Sequence, residues 1–184
     1  RQVQWQNYAT VWMNEEASML RAFANTLYIA LFSIIGQMFI SSLAAYSFAK
    51  INFKGKQVVF MLFLSSMMVP SQLTIIPRFM LFKTIGLYNN LWAIILPAFF
   101  GATSIFMLRQ FYMGLPNDLI EAAKIDGAGH LRIFLRIMLP LTKAALMSLI
   151  ILAFISSWNE YMAPLIFLVK KELYTVSQLS LIHI

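Results

Sequence analysis

One polar segment interrupts an otherwise apolar chain, and it holds the residues whose types and spacing could do directed work. Residues 116–140 read PNDLIEAAKIDGAGHLRIFLRIMLP. Asp118 followed three residues later by Glu121 predicts a capping box, in which two side chains satisfy free N–H groups at a helix start. Leu119, Ala122 and Ala123 form a small apolar face on that short helix. Asp126-Gly127 ends it, because glycine takes the left-handed backbone of a helix C-cap without strain. A second helix begins near His130. Leu131, Phe134, Leu135 and Met138 recur along it at helical spacing, and Arg132 and Arg136 lie four apart on another face. Pro140 marks the return to apolar sequence. Such an elbow, with a flat alanine face and an exposed carboxylate, suits a groove on another protein.

Covalent and metal chemistry has no comparable foothold. The sequence has no cysteine and 2 histidines, so disulfides and thiolate metal sites are excluded, and no cluster of paired carboxylates appears. It lacks G-x-x-x-x-G-K-[ST], the loop that cradles nucleotide phosphates, and Lys54-Gly55-Lys56-Gln57 is no substitute. Glu160 is the one acid inside a long apolar stretch, which makes it a functional candidate by default. It follows Ala144 by 16 residues, roughly 24 Å along a helix. That depth near a membrane boundary favours a structural or partner contact over a direct solute contact. Gln37, Gln72 and Asn159, with Ser65, Ser66, Thr103 and Ser104, are the other polar candidates for a pathway; ordinary helix packing is the competing explanation for each. Trp158 and Tyr161 read as interfacial anchors.

The elements that must position these residues are set by composition. The chain has 184 residues, 60% hydrophobic and 11% charged, where a soluble domain carries about 25% charge. No charge falls between Arg21 and Lys50, between Lys56 and Arg78, or between Lys83 and Arg109. A fourth stretch from Lys143 to Lys170 is interrupted by Glu160 alone. Each reaches the roughly 20 residues that carry a helix across a bilayer, and lipid admits only helices or closed barrels. The expected fold is all-α: a polytopic helical membrane protein with spans at about 25–49, 58–79, 91–108 and 141–169, and a polar loop at 109–140. Pro70 and Pro77 should kink or break the second span. Pro97 and Gly101 lie inside the third, and Pro164 lies near the end of the fourth. Residues 1–21, with Trp5, Tyr8, Trp12, Glu15 and Glu16, read as an exposed loop or an interfacial segment. The start at Arg1 and the absence of a signal-peptide pattern suit an excerpt from a longer protein.

The net charge of +7 is explained by loops on the cytoplasmic side of a membrane, not by nucleic acid. The loops after spans one and three carry Lys50, Lys54, Lys56, Arg109, Lys124, Arg132, Arg136 and Lys143, eight cations against six on the other side. That bias sets 109–140 in the cytoplasm.

The 116–140 segment resembles the cytoplasmic loop of permease subunits in binding-protein-dependent ABC importers, E-A-A, three residues, Gly, nine residues, then I-x-L-P. Glu121-Ala122-Ala123, Gly127 and Ile137-Met138-Leu139-Pro140 match every fixed position. The remaining patterns are similar to the carbohydrate-uptake, maltose-type branch. They are Asn25-Thr26-Leu27, the run Ser42–Lys50, Phe53-Lys54-Gly55-Lys56, Gly86-Leu87-Tyr88-Asn89-Asn90, and Trp158-Asn159-Glu160-Tyr161 with Pro164-Leu165. The resemblance implies one transmembrane domain over 1–184, taken from a six-span permease that lacks its first and last spans here. It implies a coupling helix in which Glu121, Ala122, Ala123, Asp126, Gly127 and Pro140 serve ATPase coupling, and it leaves Gln37, Gln72, Asn159 and Glu160 as pathway or binding-protein contacts. The implied partners are ABC ATPase subunits holding ATP and magnesium, a second and different permease chain, a solute-binding protein outside the membrane, and lipid. No cofactor and no catalysis are expected in this chain. A sugar is the expected solute. Another solute in the same machinery is the alternative. A self-contained channel would need midplane charges and would leave the loop unexplained, and a passive anchor would not need kinked, polar-lined spans.

Overall fold

The computed structural model describes residues 18–182. Trp5, Tyr8, Trp12, Glu15 and Glu16 of the expected loop lie outside that range, as do His183 and Ile184. The described residues contain helices and no strand, as an apolar chain that must satisfy its own backbone requires. In chain order the helices are α1 (Met19–Lys50), α2 (Lys56–Ser65), α3 (Ser71–Thr84), α4 (Trp92–Ala98), α5 (Ala102–Gly114), α6 (Asp118–Ile125), α7 (His130–Leu141), α8 (Lys143–Asn159), α9 (Met162–Phe167) and α10 (Val176–Ile182).

Two stretches are long and apolar enough to cross a membrane, Met19–Lys50 and Trp92–Gly114, the second with a short break at 99–101. Two more pairs reach that length only together, Lys56–Met68 with Ser71–Thr84 and His130–Leu141 with Lys143–Asn159. The breaks fall at identifiable places. After α2 a tighter turn at Ser66–Met68 leads to extended Val69 and then Pro70, which cannot donate a backbone bond. Pro77 lies inside α3 without ending it. The third stretch continues to Gly114, past the expected limit at 108. Arg109 does not stop it, because its guanidinium stacks 4.1 Å over the Phe60 ring and its Nε donates to the Phe48 carbonyl at 3.3 Å. The fourth breaks at Glu160-Tyr161 before α9.

The described chain forms two compact units. Residues 18–33, 71–97 and 153–182 make the first. Its core holds Ile29, Ala30, Ile94, Ile95, Phe167 and Leu168. Phe82 and Phe79 pack against Phe167 at 5.6 and 6.1 Å. Residues 34–70 and 98–152 make the second, with Ala45, Tyr46, Leu108, Tyr112, Phe134 and Met138 buried. Much apolar surface stays open, including Ile35 and Phe39 on α1 and Met61 and Leu62 on α2. Water would penalise that surface; hydrocarbon does not.

Close approach in the second unit depends on two glycines. A Cβ at Gly36 would overlap the Phe99 ring, and one at Gly101 would overlap the Gln37 amide. Small residues let helices meet in lipid by van der Waals packing. Replacing Gly36 with valine should therefore cost about 1–3 kcal/mol, the usual range for overpacking. Thermal unfolding of the purified full-length chain should show the loss. Phe99→Leu combined with Gly36→Val should recover part of it, and additive effects of the two single variants in the double would refute the contact.

Candidate functional site

The elbow begins where α5 ends. Leu115 is extended, and its carbonyl accepts a bond from Lys50 Nζ at 2.7 Å. The same Nζ donates to Asn117 Oδ1 at 2.7 Å. Asn117 is the N-cap of α6, with a helical backbone and no side-chain cap bond. The expected capping box is thus corrected. Asp118 is already the first helical residue, one position too late to cap, and the cap residue's own oxygen is held by Lys50. Asp118 and Glu121 sit instead in the first turn, where negative charge offsets the free N–H groups and the helix dipole.

The end of α6 is as expected. Gly127 has φ +76°. Its N–H donates to the Lys124 carbonyl at 3.0 Å, and the Ala128 N–H donates to the Ala123 carbonyl at 2.9 Å. These two bonds define a Schellman cap, which needs a left-handed residue where Gly127 stands. Asp126 is the residue at the helix end.

The apolar face is divided differently from the sequence expectation. Ala123 turns inward with Ile120, at 8% and 5% exposure, whereas Leu119 and Ala122 stay exposed and Ile125 is 87% exposed. The outward stripe is therefore Leu119, Ala122 and Ile125, three residues apart. On α7 the buried residues are Ile133, Phe134 and Met138, while Leu131 and Leu135 are exposed. A wider turn over Phe134–Met138 shifts the helical period there. Pro140 has no N–H to give the Arg136 carbonyl, so that turn sits where a regular bond is unavailable. Pro140 does not itself mark the break. The chain bends by 76° at Thr142, whose hydroxyl donates to the Met138 and Leu139 carbonyls at 3.1 Å.

Tyr46 was not singled out by the sequence, yet it ties the elbow to α1. It is buried, its ring meets Phe134 at 5.4 Å and Tyr112 at 6.1 Å, and its Oη lies 3.2 Å from His130 Nδ1. An aromatic with a polar tip in a run of Ala and Ser was the available signal.

Of the other candidates, Gln37 lies in the second unit and Gln72, Asn159 and Glu160 in the first. Gln37 is half-buried, and its Nε2 donates to Ser104 Oγ at 3.1 Å. Gln72 is exposed beside Ser71. Asn159 Nδ2 closes its own helix on the Ile155 carbonyl at 2.7 Å. Glu160 is exposed, and its Oε1 accepts the Ala163 N–H at 3.0 Å, which starts α9. Glu160 also borders a small cleft with Thr26, Ser157, Pro164 and Thr175. Trp158 packs edge-on against Phe23 at 5.5 Å.

Two asparagines do hydrogen-bond work that spacing did not reveal. Asn89 takes a left-handed backbone at φ +60°. Its Oδ1 accepts the N–H groups of Val169 and Lys170, both at 3.0 Å, and its own N–H donates to the Phe167 carbonyl at 2.9 Å. Asn25 Nδ2 donates to the carbonyls of Glu172 and Tyr174, and Thr26 Oγ1 accepts the Val176 N–H. The connection from α9 to α10 is held along its length.

Residues 37–182 match the family described as the binding-protein-dependent transport system inner membrane component. The chain belongs to that family. Its fold is accordingly an all-α polytopic membrane fold, and its family is one of inner-membrane transport components, not of catalysts. The permease chain is 38% identical over 170 residues to the arabinooligosaccharides transport system permease protein AraQ of Bacillus subtilis (strain 168), covering 92% of this chain and 60% of the relative. It is 33% identical over 166 residues to the sn-glycerol-3-phosphate transport system permease protein UgpE of Yersinia enterocolitica, covering 88% and 59%. A solved structure of a bacterial ABC transporter involved in the import of the acidic polysaccharide alginate is similar at a TM-score of 0.86 and 26% identity, covering 97% of this chain and 62% of that one. The chain thus spans about 60% of the length of the curated relatives it matches.

Asn89→Gly should leave two amides without acceptors while keeping the left-handed backbone and sparing the helices. Hydrogen exchange on the full-length permease should then lose protection at Val169 and Lys170 by about fivefold, as expected for removing bonds worth about 1 kcal/mol each. Unchanged exchange there would show that the clamp is dispensable.

Proposed function

We propose that this chain is part of the membrane-spanning permease subunit of an ATP-driven importer, forming the pathway for a sugar or oligosaccharide delivered by an extracytoplasmic binding protein. The observation that carries the reading is α6. It is a short helix with a Schellman cap at Gly127, an exposed apolar stripe of Leu119, Ala122 and Ile125, and an N-cap residue, Asn117, held by Lys50 of α1. That is the form of a surface made to receive force from another protein. AraQ, named for arabinooligosaccharides, supports a saccharide cargo. UgpE, named for sn-glycerol-3-phosphate, supports the second reading, another polar solute in the same machinery.

In this mechanism hydrolysis belongs to ATPase subunits that hold ATP and magnesium, because the chain carries no phosphate-cradling loop of its own. Closure of the ATPase pair moves α6, and the elbow passes that motion to the spans. Glu121, Ala122 and Asp126, with the rest of the polar loop over 115–129, face the cytoplasm and the ATPase. Ala123 serves by packing inward and by offering its carbonyl to the cap. Gly127 fixes the helix end, and Pro140 permits the irregular turn before the bend. A second, different permease chain completes the pathway. Gln37, Gln72, Asn159 and Glu160 remain its candidate contacts, with Glu160 at the face that meets the binding protein. The 1–184 stretch is one transmembrane domain with four spans, two of them sharply bent.

A photocrosslinker on a cysteine placed at Ala122 of the full-length chain, in native membranes, should capture an ATPase bearing G-x-x-x-x-G-K-[ST]. The same probe at buried Ala123 should capture much less. Capture of lipid alone at Ala122, with intact insertion, would overturn the coupling role. Gly127→Val should reduce solute uptake at least tenfold while insertion and basal ATP hydrolysis persist, since a β-branched residue at positive φ costs about 1–2 kcal/mol. Gly127→Asn should retain most uptake; full uptake with valine would remove the cap from the mechanism.

A further inference from the structure

Three cations converge on the last turn of α1. Arg109 Nε donates to the Phe48 carbonyl at 3.3 Å, Lys56 Nζ to the adjacent Ala49 carbonyl at 3.3 Å, and Lys50 Nζ to Leu115 and Asn117 at 2.7 Å. Lys54 stands exposed in the loop between Lys50 and Lys56. Among the described residues no carboxylate pairs with any of the four. Their acceptors are neutral oxygens, and a helix C-terminus offsets only about half a unit of charge. Roughly three positive charges are left uncompensated in one place.

The surroundings say what kind of anion fits. Phe53 in the same loop is 41% exposed, and α2 continues from it with Val58, Met61 and Leu62 at 58–66% exposure. A cationic patch that runs directly into an open apolar surface matches a molecule with an anionic head and a hydrocarbon tail. Lysine and arginine stems lie along apolar surface while their heads stay at headgroup level. A soluble anion would have no use for the apolar flank, and an acidic protein surface would leave it in water.

We propose that Lys50, Lys54, Lys56 and Arg109 form a binding site for the phosphate of an anionic phospholipid whose acyl chain lies on α2. The phosphate takes the donors these side chains have not committed to carbonyl oxygens, chiefly those of the Lys54 and Lys56 ammonium groups and the Arg109 guanidinium. The site is separate from the α6 stripe and does not depend on which solute is carried.

The test uses the full-length chain in its native assembly, delipidated in mild detergent and titrated with palmitoyl-oleoyl phosphatidylglycerol, the phosphatidylcholine equivalent or inorganic phosphate. Native mass spectrometry reads the retained lipid. Phosphatidylglycerol should bind at least tenfold tighter than phosphatidylcholine, and millimolar inorganic phosphate should not displace it. Lys54→Gln with Lys56→Gln should weaken phosphatidylglycerol binding by about 25-fold, about fivefold for each charge removed near a headgroup. Lys54→Arg with Lys56→Arg should restore it, which separates lost charge from lost folding. Equal binding of the two lipids, or no loss in the glutamine variant, overturns the site. Displacement by inorganic phosphate overturns the lipid assignment in favour of a free anion. An effect of the glutamine variant seen only when an ATPase subunit is bound overturns it in favour of a protein contact.

Discussion

Every backbone polar group that the bilayer covers must be satisfied from within the chain, and the shape of this protein follows from meeting that demand at the places where its helices stop. A continuous helix meets it without help. This chain interrupts its helices at 66–70, 99–101, 142 and 160–161, and side chains are at hand at these breaks. Ser65 and Ser66 return their hydroxyls to the Leu62 and Phe63 carbonyls at 2.7 and 2.6 Å. Gln37 and Ser104 bond beside the second break. Thr142 serves the third, and Asn159 with Glu160 serves the fourth. Several polar residues inside the apolar stretches thus have structural partners, while the buried Ser33 and Ser41 hydroxyls have none among the described residues. Gln37 bonds within the second unit, and Asn159 and Glu160 bond within the first. Each of these side chains already has a structural partner.

The same demand operates outside the helices of the first unit. The connection from α9 to α10 has no regular structure over 168–170 and only a short tight turn at Lys171–Leu173. Asn89, Asn25, Thr26 and Gln178 supply its donors and acceptors. Asparagine suits this role twice over. It tolerates the left-handed backbone that Asn89 adopts, and its amide can bond two successive backbone groups. Motifs that look like family markers in the sequence turn out to be hydrogen-bond clamps.

Much of this was legible from charge spacing and much was not. The gaps between charges located the apolar helices, because a charge in hydrocarbon is expensive. They failed at Arg109, whose charge is tolerated inside a helix through Phe60 and a backbone carbonyl. Gly127 was legible because only a left-handed residue closes a helix in that way. The capping box was not, because the asparagine before Asp118 has its oxygen taken by a lysine 67 positions away. Local spacing cannot see such a partner. The faces of α6 and α7 were misread for related reasons. A helix of eight residues carries too few positions to fix its rotation, and one wide turn on α7 shifts the register of everything beyond it.

The two long-range bonds of the elbow bear on what it can transmit. Tyr46 and Lys50 are four residues apart on α1, so they project from one face of that helix. Tyr46 holds the start of α7 through His130, and Lys50 holds the start of α6 through Asn117. A helix fixed at a single point can swivel when pushed, and the displacement is absorbed at the pivot. An elbow held at two points one turn apart cannot swivel without breaking one of them, so a push on α6 must shift α1 or rupture a bond. The cap at Gly127 completes the constraint, because it sets the angle at which α6 hands over to the segment leading to His130. Under the coupling role proposed for α6, its exposed stripe is the face of a braced part, and the bracing carries a push on this eight-residue helix to the last turn of α1.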